Sequence, residues 1–285
     1  MVKFKPRRVD RNNYNTPIMY DKEIDEYAHA ILKDYKPNLL REPGKMDFQY
    51  FLESYLGATI IYHDIYSDDP NRPILAMTAF EKGCIRVFDR EDECVKRVFV
   101  PERAVIIDNA VMESGKEGLA LFSGFHEAGH IALHWEVFSA MVRDGAEFGA
   151  SYESGFKGDV NCEFADEFGD MLTVSNASVV CCRRGNIESM GRGRTERTAS
   201  DWREHQADYF AAAIAMPNTT FIPFVRNILR ENGYYKATVT TGRDGDLDIL
   251  VEDIIPDAIS ETYGVSKRAA GIKLRKAGFV HNHAK

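Results

Sequence analysis

The strongest chemical signal in the chain is His126-Glu127-Ala128-Gly129-His130, an H-E-x-x-H pattern. On a helix, histidines four residues apart stand one turn apart on one face, so both imidazoles can reach a single metal ion. A glutamate directly after the first histidine can serve as base to a water held by that metal. The pattern carries this meaning only on a helix. Ser114-Gly115-Lys116-Glu117 upstream has the S-x-x-E form of a capping box, and Leu119, Phe122, Phe125, Ala128, Ile131 and Trp135 then repeat at helical spacing. This spacing predicts a helix over about residues 116–138, buried nearly all round.

A zinc site in an enzyme usually takes three protein ligands and leaves one position open. His134 is the nearest further imidazole, but eight residues of helix separate it from His126, about 12 Å along the axis. Zinc–nitrogen bonds are only about 2.1 Å, so His134 is expected to make a local hydrogen bond instead. Leu133 and Glu136 also break the longer H-E-x-x-H-x-x-G-x-x-H spacing. The better third ligand is Glu204, within Asp201-Trp202-Arg203-Glu204-His205-Gln206-Ala207-Asp208-Tyr209-Phe210-Ala211. Glu204 and Asp208 lie one turn apart on one helix face, flanked by Ala207 and Ala211, whose small side chains permit close approach of a second helix. Glu204 can then reach the metal, while Asp208 accepts the free N–H of a ligating histidine. His205 and Tyr209 lie about 100–140° away around the helix and are not expected at the metal.

HEAGHIALH (126–134) together with WREHQADYFAAAIAMP (202–217) resembles the ImmA/IrrE family of bacterial zinc metallopeptidases. That family pairs H-E-x-x-H with E-x-x-A-[ND] on a helix closed by a Met-Pro-like stop, here Met216-Pro217. The resemblance implies a zincin-like α+β fold with one zinc ion held by His126, His130 and Glu204, Glu127 as the catalytic residue and Asp208 in support. It implies endopeptidase action on a protein substrate, a helix-turn-helix transcriptional repressor, as a regulatory switch. Two departures stand out. Leu121-Phe122-Ser123-Gly124-Phe125 replaces the family's Arg-Phe-Thr-Leu-Ala-type run, and the interval from His130 to Glu204 is longer than in compact members, making residues 143–199 an insertion.

The elements that must position these groups are readable in part. Residues 21–35 form an amphipathic helix through Ile24, Tyr27, Ala28, Ile31, Leu32 and Tyr35, and residues 46–56 a shorter one stopped by Gly57. Residues 58–63, 74–80, 84–89 and 95–108 are rich in β-branched and aromatic side chains and are separated by turn sequences, which predicts three to five antiparallel strands leading into the H-E-x-x-H helix. Strands followed by helices indicate an α+β class, with a small antiparallel sheet packed on that helix. Thr198-Ala199-Ser200-Asp201 opens the Glu204 helix in capping-box form. A helix over 220–231, capped by Asn218 or Thr219, a hairpin of 234–240 with 247–251, and a helix pair over 257–277 follow. The chain thus divides into a polar leader with little to bury (1–20), a metallopeptidase domain (21–255, including the insertion) and a helix-turn-helix-like tail (256–285) packed on it.

Composition sets outer bounds. With 285 residues, 44% hydrophobic and 28% charged, the chain is globular. A net charge of −8 argues against a surface built throughout for nucleic acid. No apolar h-region opens the chain and no run approaches roughly 18 apolar residues, so neither a secretory signal nor a membrane span is expected. Cys84, Cys94, Cys162, Cys181 and Cys182 read as reduced thiols of a cytoplasmic protein. The competing readings are a DNA-binding regulator, using Lys267, Arg268, Lys273, Arg275 and Lys276 of the tail, and a zinc-containing protein that acts by binding a partner without cutting it. A tail packed on the domain is the preferred reading of the first, and Glu127 argues against the second. Tyr62, Tyr152, Tyr234 and Tyr235 all stand as oxyanion donors for a hydrolase.

Overall fold

A computed structural model of the chain describes residues 2–69, 71, 73–144, 162–165, 171–174, 179–183, 198–242 and 245–282. The N-terminal residues pair as β1 (Val9–Asp10) and β2 (Thr16–Pro17), followed by α1 (Asp21–Tyr35) and the short α2 (Phe48–Tyr50), which continues through a wider π-type turn to Tyr55. Asp47 caps α2 by accepting from the N–H groups of Gln49 and Tyr50. Gly57 ends the segment at φ 66°, a conformation that favours glycine.

The strands that follow are β3 (Thr59–His63), β4 (Ile74–Ala79), β5 (Gly83–Asp89), β6 (Cys94–Val100) and β7 (Ala104–Asp108). They do not form one antiparallel sheet. β5 and β6 pair as a hairpin of their own, and the larger sheet runs β10-β4-β7-β3, with β10 (Val179–Arg183) drawn from the insertion. Within it β3 and β7 are parallel, Ile61 opposite Ile106. The expectation of antiparallel pairing holds for β4 with β7 and for β5 with β6, and fails for β3 with β7 because β4 and the hairpin intervene, returning the chain to the end from which β3 began; such a crossover is what parallel pairing requires. The α+β class stands.

Helix α3 (Glu117–Arg143) lies against this sheet and runs beyond the expected end. Its start also differs. Ser114 does not cap it; the Glu117 carboxylate reaches back to the Gly115 N–H at 3.0 Å. After β8 (Cys162–Ala165), β9 (Met171–Val174) and β10, the chain enters α4 (Ala199–Ala215), where the Thr198/Asp201 capping box forms as expected. Then come α5 (Asn218–Glu231), β11 (Val239–Thr241), α6 (Gly245–Ile249), α7 (Ile255–Tyr263), α8 (Lys267–Lys276) and β12 (Val280–Asn282). The expected 234–251 hairpin is absent. Leu247, Leu250, Val251, Ile255 and Ile259 recur at helical spacing, and β11 pairs instead with β12, in parallel.

The apolar residues sort into layers. On β7, Val105 and Ile107 join the main core with the helices, while Ala104 and Ile106 face a second cluster closed by Ile85, Val87 and Val100 of the hairpin. That alternation is what a strand covered on both faces requires. Phe80, Val137, Phe138 and Met141 pack around the C-terminal half of α3.

The N-terminal segment is not a solvated leader. Thr16 and Met19 are buried, Arg8 pairs with Glu23 at 2.7 Å and Arg7 with Glu26 at 3.2 Å, and the Val2 N–H donates to the Tyr55 hydroxyl. Polar composition concealed this because much of the docking runs through backbone groups and ion pairs. Cys84 is disulfide-bonded and Cys94 is free and exposed, which corrects the expectation of reduced thiols throughout. Cysteine spacing carries no information on which thiols the fold brings together. Among the described residues, no helix is long and apolar enough to cross a membrane.

The tail is fastened to α3 at Gly118, where an added Cβ would stand 2.5 Å from the Ser266 backbone nitrogen. Gly118→Ala gains about 1 kcal/mol of helix propensity but forces backbone apart at a cost of about 1–3 kcal/mol. The expected result is a lower urea midpoint; a higher one would show that this contact does not constrain the tail.

Candidate metal centre

The site exists because α3 and α4 approach closely. At Gly129 an added Cβ would lie 2.9 Å from the Cα of Ala207, so position 129 has no room for a side chain. This brings His126 and His130 of α3 against Glu204 of α4, all three buried, with ligand atoms within 4.8 Å of one another.

Hydrogen bonds engage Nδ1 of both imidazoles and turn each Nε2 toward the cluster. His126 Nδ1 lies 2.8 Å from Asp208 Oδ1. The carboxylate accepts the Nδ1 proton, which leaves Nε2 as the nitrogen free to meet a metal. For His130 the assignment passes through a longer chain. Gln206 Nε2 donates to the Pro17 carbonyl at 2.8 Å, which turns Gln206 Oε1 toward His134 Nε2, 2.9 Å away. His134 therefore donates from Nε2 and accepts at Nδ1, where His130 Nδ1 stands at 3.2 Å. Burial, followed by the adjacent His130 and Arg203, holds His134 well below the usual imidazole range, so it carries a single proton. His130 Nδ1 is thus engaged with His134, and its Nε2 is the nitrogen turned toward the cluster.

The two Nε2 atoms thus face each other at 3.0 Å, with the Glu204 oxygens 3.3 Å from His126 Nε2 and 3.4 Å from His130 Nε2. Two imidazole nitrogens and a carboxylate converge in a buried space, a donor arrangement that suits a cation. The separations suit one: the edge of a tetrahedron around zinc with bonds of about 2.1 Å is about 3.4 Å. Burial opposes ionisation of Glu204, but the imidazoles of His130 and His126 together outweigh it and hold the carboxyl below its usual range. The donor set, two imidazoles and one carboxylate, fits a first-row dication.

Glu127 follows His126 and is also buried. Burial pushes its carboxyl up, against the pull of His126, His130 and a hydrogen bond from Thr78. The Thr78 hydroxyl donates to Oε2 at 2.6 Å, whereas Oε1 has no partner among the described residues. One oxygen is therefore anchored and the other is available to a reacting proton. Thr78 lies opposite Val180 of β10, so the insertion contributes the strand beside the one that holds Glu127.

The five residues singled out from the sequence come together here. His134 makes the local hydrogen bond expected of it and stays outside the ligand triad. His205 pairs with Asp21 and Tyr209 with Asp25, both away from the metal-facing side. None of the described tyrosines nominated as an oxyanion donor bonds to the cluster. Gln49 donates to the Tyr62 hydroxyl, the Tyr234 hydroxyl donates to the Thr238 carbonyl, and Tyr235 is exposed. Tyr152 lies outside the described residues. Sequence reasoning missed Thr78 and the Gln206–Pro17 link. Thr78 had a signal, as the one polar residue in the otherwise apolar strand ILAMTA; the Pro17 carbonyl had none.

Comparison with known proteins adds nothing further: no protein-family model matches the chain, and no curated protein matches it.

The hydrogen-bonded chain behind His130 makes a testable demand. Gln206→Met keeps the volume but removes both the acceptor for His134 and the donor to Pro17. Metal affinity, measured by competition with a chromophoric chelator, is expected to fall about 10–100-fold. Unchanged affinity would show that the chain does not orient His130.

Proposed function

We propose that the protein is a zinc-dependent endopeptidase with a zincin-like arrangement of its site. One observation carries this reading: two imidazoles turned by Nε2 toward each other and the Glu204 carboxylate converge in a buried cluster, beside a second glutamate with one oxygen unengaged. A purely structural metal site has no use for Glu127. Zinc held by His126, His130 and Glu204 supplies a Lewis acid that polarises a scissile carbonyl and renders a water acidic.

The remaining chemistry belongs to the chain. Glu127 Oε1 accepts the proton of the attacking water while Thr78 holds Oε2, and the same carboxyl delivers that proton to the departing amine. The raised affinity of Glu127 for a proton, caused by burial, suits a group that must take one up and release it in a single cycle. Asp208 keeps the proton of His126 on Nδ1 and stabilises the ring as charge shifts. We assign the substrate class, a helix-turn-helix transcriptional repressor, to the resemblance of the two helix motifs.

The tail gives the DNA-binding reading only partial support. Lys267, Arg268, Arg275 and Lys276 are exposed, but Lys273 is buried, Lys267 is paired with Asp257 and Arg275 stands 3.9 Å from Glu252, so carboxylates of the protein itself sit within the basic face.

The test is co-incubation of purified, zinc-loaded protein with small helix-turn-helix repressor proteins as candidate substrates, followed by mass mapping of fragments. Wild type is expected to cut once or a few times. Glu127→Gln is expected to retain zinc at one equivalent and to lose turnover by at least about a thousandfold, on the scale of general-base removal. Full cleavage by the variant, or iron in place of zinc in the isolated protein, contradicts the proposal.

A further inference from the structure

Away from the metal cluster, a cavity of about 400 Å³ lies where α1, α3, α4, α5 and α8 meet. It falls within the range of about 300–1,000 Å³ typical of small-molecule sites. Its apolar wall includes Leu119, Phe122, Met216 and Ile222. Lys273 also lines it, and only 5% of that residue is exposed.

The ammonium of Lys273 has no hydrogen-bond acceptor or salt-bridge partner among the described residues. It stands over the rings of Tyr209 and Phe221, at 5.7 and 5.8 Å from their centres. Asp25 attracts it from a distance, but that carboxylate already receives the Tyr209 hydroxyl at 3.0 Å and the Asn218 amide at 2.9 Å. Asp21, the other carboxylate of the lining, faces His205 at 3.1 Å. Arg268, Lys276 and Lys22 bring the cationic side chains of the lining to four against these two carboxylates. A buried ammonium without an acceptor is costly, and cation–π contacts recover only about 2 kcal/mol. An anion on an apolar body would satisfy both the charge and the wall.

We propose that this cavity binds a small organic carboxylate, its acid group on Lys273 and its hydrocarbon portion against Leu119, Phe122, Met216 and Ile222. The site is separate from the metal cluster but touches the same two helices. Phe122 stands one turn before His126 on α3, and Tyr209 follows Asp208 on α4. The inference does not depend on peptidase activity, and its test uses none.

The full-length protein is titrated calorimetrically, and its thermal midpoint followed, with straight-chain carboxylates from butyrate to decanoate and with the corresponding primary amides. Expected are 1:1 binding and a raised midpoint for at least one carboxylate, with its amide at least tenfold weaker. Lys273→Met should lose at least tenfold in carboxylate affinity while raising the midpoint of the ligand-free protein, since it removes an unpaired buried charge. Ile222→Trp, which keeps the lysine and fills the cavity, should block binding by volume. Absence of binding by every carboxylate at millimolar concentration, equal binding of the amides, or undiminished binding by Lys273→Met would each overturn the proposal.

Discussion

The structure depends on one close contact between two helices, which holds two imidazole nitrogens and a carboxylate together in a buried cluster. Burial removes the solvent that such polar groups would otherwise engage, and packing must offset that cost. The Gly129–Ala207 contact sets the distance between α3 and α4, and the apolar shell around both helices holds it. A single added methyl group at Gly129 would act directly on the ligand separations, because backbone and not a pliable side chain stands in its way.

The remainder of the fold can be understood as bracing for that contact. Sheet and hairpin support α3 from one side, while α1, α5 and the tail enclose the other helix faces. The N-terminal strands, although polar, provide the last link of the chain that orients His130: Pro17 fixes Gln206, Gln206 fixes His134, and His134 fixes the ligand. Arg203, buried on α4, donates to the Thr16 hydroxyl at 2.9 Å and secures the same segment. The metal-facing atoms are thus tied to a stretch that lies about a hundred residues or more away in sequence from the ligands on either helix.

Much of the cluster was legible in the sequence because its information is local. H-E-x-x-H and the Glu204/Asp208 pair each fit on about one helical turn, and helix periodicity reports which residues share a face. The capping box at Thr198 was legible for the same reason. What escaped was nonlocal. The parallel pairing of β3 with β7, the entry of β10 beside β4, the docking of residues 2–20 and the disulfide at Cys84 all depend on contacts between distant segments. The region after Tyr234 was misread for another reason. The β-branched residues of 247–255 suited a strand individually, whereas their three-to-four-residue recurrence, continued into α7, belonged to a helix.

The central claim, that His126, His130 and Glu204 form one metal site, is open to direct measurement by zinc K-edge X-ray absorption on the reconstituted protein. The account predicts one zinc per chain, with scattering from two imidazole rings and further oxygen ligands at about 2.0–2.1 Å and no sulfur. A zinc–sulfur distance near about 2.3 Å, or an unaltered spectrum in Glu204→Ala, would contradict it.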